Sequence, residues 1–380
     1  MSRKIRMGAA AVLACACLAG AAQAEPRTYT FGGSGNDSVQ AIAASGDGRI
    51  VLTGSTDSTD GTLAFRTKTG LSGWALCVDA QGNALWSFCS RLGSSDRMDK
   101  PVFHEDGSVT VVLCVSASTR DMYELIRLDA NGEVVARKTM LGDDGVWSLL
   151  RPGATDMGYI LRQGETDDEL TPKRFTLFDF DGNPVRELSG WEADGTYGVF
   201  QIAGRHVLRT AGERAFLSAF DAQGNEAVIA EPRDVIPNPD GYAIYLGMIS
   251  LPDGGVAAAG RMAAADESGR FTRWDARGNT VFDWWIPAGD LYDVVRTERG
   301  FAALMQPYGQ PQEPDRHAWA LAFFGDDGVQ TGVLPLGETE AYTGAIAALP
   351  DGSVAVVQDT GGLTGQSDVL LTIVPREDIP

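Results

Sequence analysis

Cysteine and histidine are scarce in this sequence. The 380-residue chain has 5 Cys and 3 His, and none of the cysteine spacings is that of a zinc site. Basic charge is in deficit: 31 Lys and Arg stand against 51 Asp and Glu, a formal net charge of −20. No positive field therefore exists to release counterions from nucleic-acid phosphates or to hold an anionic membrane surface. Apolar runs long enough to cross a bilayer are missing. So are helical candidates of about ten residues or more, and with them the strand-to-helix context that a nucleophile elbow or a phosphate cradle requires. Glycine is abundant, at 46 residues, but follows no three-residue period, which excludes a collagen-like fibre. With 44% hydrophobic and 22% charged residues, what remains is a folded chain with ample material for burial.

The N-terminus reads as an export signal. Arg3, Lys4 and Arg6 precede an apolar run from Met7 to Ala22, and Ala22-Gln23-Ala24 has the small-x-small pattern of a cleavage site. Residues 1–24 read as a signal peptide, and the mature protein, starting at Glu25, is expected to be secreted or held at the cell surface or envelope. It would keep 28 basic against 51 acidic groups, a net charge of −23. Val12-Leu13-Ala14-Cys15 resembles a bacterial lipobox, which would anchor the chain by lipid at Cys15, although the apolar stretch before Cys15 is short. Removing the leader leaves Cys77, Cys89 and Cys114, and three thiols cannot all pair within one chain. A hairpin about Asp79–Asn83 sets Cys77 opposite Trp86 rather than Cys89. Buried small hydrophobes are the expectation, with one disulfide and one free thiol as the alternative.

Two interleaved ladders of turns dominate the rest. The first reads Asp-x-x-Gly-Asn or Asp-x-x-Gly-Glu at Asp79–Asn83, Asp129–Glu133, Asp179–Asn183, Asp221–Asn225 and Asp275–Asn279, with a weaker copy at Gly325–Val329. Asp in the first position of such a turn accepts backbone amides, and Gly in the fourth accepts the positive φ of a bulged hairpin. The glycines Gly82, Gly132, Gly182, Gly224, Gly278 and Gly328 are 50, 50, 42, 54 and 50 residues apart. The second ladder places Gly48, Gly107, Gly158, Gly204, Gly254, Gly300 and Gly352 ahead of apolar strands, giving seven rungs. A period of about 50 residues, with four strands and one dominant hairpin per unit, specifies a β-propeller blade.

The ends fix the blade number. The seventh unit stops one strand short at the C-terminus, and the segment from Arg27 to Gly33 matches the fourth-strand endings Ser87 to Gly93 and Lys138 to Gly142. The expected fold is all-β: one seven-bladed β-propeller over residues 25–380, with four-stranded blades and the N-terminal strand closing the last. Blades fall near 38–94, 95–142, 143–190, 191–236, 237–289, 290–337, and 338–375 with 27–33. The first unit contains Phe31-Gly32-Gly33-Ser34-Gly35-Asn36-Asp37, Leu52-Thr53-Gly54-Ser55-Thr56 and Val78-Asp79-Ala80-Gln81-Gly82-Asn83. It resembles a group of exported bacterial β-propeller repeat proteins whose units read Leu-Gly-Gly-Ser-Gly-x-Asp, Val-x-x-Gly-x-Thr and Leu-Asp-x-x-Gly-Asn. Later units keep the turn glycines and lose Gly-Gly-Ser-Gly. The resemblance implies the architecture of the mature chain and brings no defined active site.

In a blade, the turns joining strands one to two and three to four share one face, and here these are the stereotyped, structural ones. The opposite face collects the loops that vary, where recognition usually resides. Acids crowd those loops, among them Asp57, Asp60, Asp143, Asp144, Asp167 and Asp168. With Trp74, Tyr308, His317 and Trp319 they form the candidate ligand-binding face. Calcium is the cation such loops would take, but Asp57-Ser58-Thr59-Asp60-Gly61 and Asp143-Asp144-Gly145 lack a twelve-residue loop pattern with a terminal Glu, so no metal ligand and no cofactor is assigned. His104 and His206 lie near the structural turns and His317 opens a third strand on the loop face, so the three do not converge. No catalytic residue is assigned. The expected function is binding of an extracellular protein or glycan by a monomer through its acidic loop face. A carbohydrate-active enzyme with paired carboxylates and a structural envelope component are the alternatives.

Overall fold

In a computed structural model, the residues described are 25–63, 70–90, 95–116, 121–140, 146–149, 158–163, 174–188, 201–211, 214–221, 223–231, 241–264, 268–308, 317–340, 344–361 and 366–380. The leader with Cys15, and Asp143, Asp144, Asp167 and Asp168, lie outside them. The described chain is all-β apart from two single 3-10 turns, at Gly61–Leu63 and Arg376–Asp378.

Strand β1 (Arg27–Phe31) comes first. Blade 1 is β2 (Asp37–Ala44), β3 (Ile50–Thr56), β4 (Ser72–Val78) and β5 (Ala84–Cys89). Blade 2 is β6 (Ser95–Phe103), β7 (Val109–Ser116), β8 (Asp121–Leu128) and β9 (Val134–Met140). Blade 3 is β10 (Val146–Leu149), β11 (Tyr159–Gln163), β12 (Arg174–Phe178) and β13 (Pro184–Glu187). Blade 4 is β14 (Gln201–Ala203), β15 (His206–Ala211), β16 (Arg214–Phe220) and β17 (Glu226–Ala230). Blade 5 is β18 (Gly241–Ser250), β19 (Val256–Ala264), β20 (Ser268–Trp274) and β21 (Thr280–Ile286). Blade 6 is β22 (Gly289–Thr297), β23 (Gly300–Pro307), β24 (His317–Phe324) and β25 (Gln330–Thr339). Blade 7 is β26 (Gly344–Ala348), β27 (Val354–Asp359) and β28 (Val369–Val374), completed by β1.

Seven four-stranded antiparallel sheets result. The expected closure is present: β1 pairs with β28 from Arg27 opposite Ile373 to Phe31 opposite Val369. Since β28 descends from the loop face to the turn face, β1 rises from Arg27 at the turn face to Phe31 at the loop face. Both turn ladders have the backbone their sequences demand. All six glycines of the first and all seven of the second have positive φ. In the first turn, Asp79 Oδ1 accepts the backbone N–H groups of Gln81 and Asn83, each at 2.8 Å, and Gly82 N–H closes onto Asp79 O at 3.0 Å. The same pattern recurs at Asp129, Asp179, Asp221 and Asp275. The register of β4 and β5 sets Cys77 opposite Trp86 and Trp74 opposite Cys89. Cys77, Cys89 and Cys114 are all free thiols.

The apolar interior is divided among the seams. Seven clusters each join two neighbouring blades, and together they run round the whole ring. Middle strands are therefore covered on both faces, and every residue of β3 and β4 is buried. The closing seam brings Ile50, Leu52 and Trp74 of blade 1 against Phe31, Val357, Val369, Leu371 and Ile373 of blade 7.

The first-ladder turns add a second interlock, since each lies against the outer strand of the preceding blade. A Cβ on Gly82 would come within 2.3 Å of the Tyr29 ring in β1, and one on Gly132 within 2.8 Å of the Trp86 ring in β5. The segment after β28 occupies the corresponding place on blade 6. Ile379, 3% exposed, enters the cluster of blades 6 and 7, Arg299 Nη1 donates to Ile379 O at 2.7 Å, and a Cβ on Gly332 would meet Pro380 at 3.0 Å. Ion pairs stitch the same face. Arg127 reaches Asp106 at 2.8 Å in its own blade and Asp181 at 3.7 Å in the next. Arg273 likewise holds Asp253 and, at 3.1 Å, Asp326 O. The turn face is thus given over to structure.

Candidate functional site

On the loop face, blade 1 shows what its acids do. The Gly32–Asn36 loop joins β1 to β2 and leaves four consecutive amides to be satisfied. Gly33 N–H donates to Asp37 Oδ2 at 2.8 Å, Ser34 N–H to Asp60 Oδ1 at 2.6 Å, Gly35 N–H to Ser58 Oγ at 2.9 Å and Asn36 N–H to Asp57 Oδ1 at 2.6 Å. Asp37 is fully buried and also accepts the hydroxyls of Thr56 and Ser58. Burial pushes its pKa up, against the pull of these hydrogen bonds, and the neighbouring Asp368 charge adds to the rise. The Ser34 amide holds Asp60 below the usual range. Asp96, 1% exposed, does a comparable task in blade 2, accepting Ser90 Oγ at 2.6 Å while Ser90 accepts Gly73 N–H at 3.0 Å. Asp57 and Asp60 thus sit on the expected face, with an oxygen of each committed to the seam between the first and last blades.

Blade 6 is built differently. At the loop-face ends of β22, β23 and β24, side chains hold side chains. Tyr308 donates its hydroxyl to Asp290 Oδ1. The hydroxyl of Tyr292, the residue at the β22 bulge, donates to Gln306 Oε1 at 2.7 Å, and Gln306 Nε2 bonds His317 Nδ1. With the amide as donor, Nδ1 of His317 accepts, which places the proton of a neutral ring on Nε2. Trp319 packs edge-on against Tyr292 at 4.9 Å between centroids. Burial and the Asp290 charge raise the Tyr292 pKa, and Arg261 of blade 5 opposes them.

Of the residues singled out from sequence, Tyr308, His317 and Trp319 therefore gather in one cluster in blade 6, while Asp57, Asp60 and Trp74 belong to blade 1. Trp74 and Trp319 are 0% and 1% exposed and present no ring face to solvent; their role is packing. His104 bonds Thr110 Oγ1 at 2.6 Å and lies edge-on to Phe180. His206 is buried in blade 4. Burial lowers the pKa of both, and the three histidines stay in separate blades. Among the described residues, no group of three or more His, Cys, Asp or Glu could hold a metal ion, and no helix is long and apolar enough to cross a membrane. Sequence reasoning missed the linking roles of Tyr292 and Gln306, which follow from the inner-strand bulge and no motif. It also passed over Trp284 and Trp285, whose signal is two consecutive tryptophans in an outer strand.

No family model matches the chain, and no curated protein matches it. Solved structures do. The chain is similar to Hsv2 of Kluyvelomyces marxianus at 13% identity and a TM-score of 0.47, over 85% of this chain and 90% of that one. It is also similar to a protein of unknown function from Dyadobacter fermentans DSM 18053 at 11% identity and a TM-score of 0.48, over 92% of this chain and 98% of that one. These likenesses carry no argument about ligand. The architecture rests on the strand pairing of the chain itself: a closed seven-bladed β-propeller, a scaffold capable of surface interactions.

Proposed function

We propose that this is an exported recognition protein whose loop face binds an extracellular protein or glycan, with the blade-6 cluster of Asp290, Tyr292, Gln306, Tyr308 and His317 at the contact. The observation that carries the reading is the contrast between blades 1 and 6. In blade 1 Asp37, Asp57 and Asp60 answer backbone amides and serve the seam; in blade 6 Asp290 and Tyr308, and Tyr292, Gln306 and His317, hold one another at the loop-face ends of three strands. Preorganised donors and acceptors on a rigid ring lower the ordering cost of recognition. The mechanism is non-covalent. A glycosidase would need a reachable acid with a raised pKa. Among the described residues, Asp37 is the loop-face acid with such a shift, and it is fully buried with both oxygens engaged.

The test is a binding screen of the purified protein against arrays of cell-surface glycans and surface proteins, with and without calcium. A saturable ligand is expected, and Tyr308→Phe with His317→Ala should weaken it by about tenfold or more while leaving thermal unfolding little changed. No saturable ligand, or unchanged affinity in the double variant, overturns the proposal.

A further inference from the structure

The outer strand of blade 5, β21, reads Thr-Val-Phe-Asp-Trp-Trp-Ile. Its two tryptophans are the aromatic members of the exposed large hydrophobics among the described residues, Trp284 at 45% and Trp285 at 52%. Neighbouring side chains of a strand point to opposite faces, and the two indoles are differently employed. Trp284 faces blade 6, where Nε1 donates to Asp327 O at 3.1 Å and the ring covers Gly328. The interlock of blades accounts for it.

Trp285 faces blade 4, and among the described residues no contact between blades accounts for it. Counted from the hairpin bulge, the same place holds Cys89 in blade 1 and Thr139 in blade 2, so the repeat asks for no ring here. Beneath the indole lies a satisfied polar assembly. Arg270 is 3% exposed and donates through Nε and Nη2 to both oxygens of Asp283, at 2.9 and 2.7 Å. Thr272 Oγ1 donates to Asp283 at 2.8 Å, and the Tyr245 and Thr272 hydroxyls are bonded at 2.7 Å. The guanidinium sits 5.8 Å from the ring centroids of both Trp285 and Tyr245, so one face of the exposed indole is backed by a buried cation. Burial alone would raise the Asp283 pKa; the hydrogen bond and charge of Arg270 hold it below the usual range. Trp285 is the penultimate residue of β21, at its loop-face end.

The charges of Arg270 and Asp283 cancel. Among the described residues, the charge under the indole is this balanced pair, in a chain of net charge −20. A polyanion is repelled by the whole chain, and among the described residues a polycation finds no uncompensated partner beneath the indole. A neutral ligand with an apolar face and a polar edge fits: a pyranose ring can lay its C–H face on the indole and turn its hydroxyls to the Asp283 side chain, 29% exposed. We infer that Trp285, with the Arg270–Asp283 pair beneath it, forms a subsite for a neutral glycan on the perimeter between blades 4 and 5. It uses none of the blade-6 residues and stands independently of the reading given to them.

The experiment is affinity electrophoresis of the full chain through gels containing dextran, laminarin or hydroxyethylcellulose, with a fluorescence titration by oligosaccharides of whichever polymer retards it. Retardation by at least one polymer is expected. Trp285→Ala should raise Kd by about tenfold or more with thermal unfolding unchanged, as the ring is largely exposed, and Trp284→Phe and the Tyr308→Phe with His317→Ala pair should bind as the parent does. No retardation by any of the three, or unchanged binding by Trp285→Ala, overturns the inference. So does quenching by a proline decamer in place of any sugar. Loss of glycan binding in the blade-6 pair alone would place the sugar on the loop face, sinking this inference while supporting the proposed function.

Discussion

Replacing Gly82 by alanine tests the interlock of blades directly, because the turn glycine has two independent reasons to lack a side chain. Its φ of +74° costs a β-carbon about 1–2 kcal/mol. In addition, that carbon would stand 2.3 Å from Cδ1 and 2.4 Å from Cγ of Tyr29, an overlap that only movement of β1 or of the ring relieves. Overpacking of this kind costs about 1–3 kcal/mol, for a total of about 2–5 kcal/mol. Gly48 supplies the control. Its φ is +87°, but the nearest atom to its built Cβ is Pro350 Cγ at 4.0 Å, so Gly48→Ala should show the backbone cost alone. Urea denaturation read by circular dichroism gives the two midpoints at comparable slopes. A double-mutant cycle then isolates the contact: with Tyr29 already alanine, Gly82→Ala should fall to about the Gly48→Ala value. Equal losses at Gly82 and Gly48, or strict additivity with Tyr29→Ala, would refute the inter-blade role assigned to these turns.

Three further outcomes are expected. Deleting residues 25–31 removes β1 and uncovers Val369, Leu371 and Ile373, each 0–1% exposed; thermal unfolding should fall by far more than for an ordinary trimmed terminus, and an unchanged midpoint would refute closure. Asp283 has a folded pKa below its ordinary value, so its pairing with Arg270 stabilises above the unfolded value of about 3.9 and is lost as pH falls through the folded one. Asp283→Asn should therefore lower the melting temperature at pH 7, with the gap to the parent closing in acid; a gap independent of pH would contradict the pairing. Burial pushes the Cys77 thiol up to about 12, so iodoacetamide at pH 8 should modify the half-buried Cys89 first, and mass spectrometry that finds Cys77 labelled at the same rate would contradict its burial.

The ring was readable in the sequence because its grammar is local. An Asp that accepts amides two and four residues on, and a Gly held at positive φ, are complete within five residues, so Asp79 and Gly82 announce their hairpin without reference to anything distant. Closure was readable because β1 repeats the wording of other fourth strands. The place of Cys77 opposite Trp86 followed from the same hairpin. The roles of Asp37, Asp57 and Asp60 were not readable in this way. Composition marks them as acids on variable loops, but which amide each one meets depends on how residues 32–36 and 56–60 are laid together where β1, held against β28, hands over to the β2–β3 hairpin. Nor could composition tell a buried tryptophan from an exposed one. Trp74 and Trp285 both lie at the loop-face end of a blade, and what separates them is the order of strands outward from the axis.

The direction of β1 has a consequence for how the molecule is mounted. Because Arg27 lies at the turn face and Phe31 at the loop face, the described chain enters the ring on the side given over to hairpins and ion pairs. An attachment made on that side would turn it into a pedestal, and the blade-6 cluster would look away from the support into the surroundings.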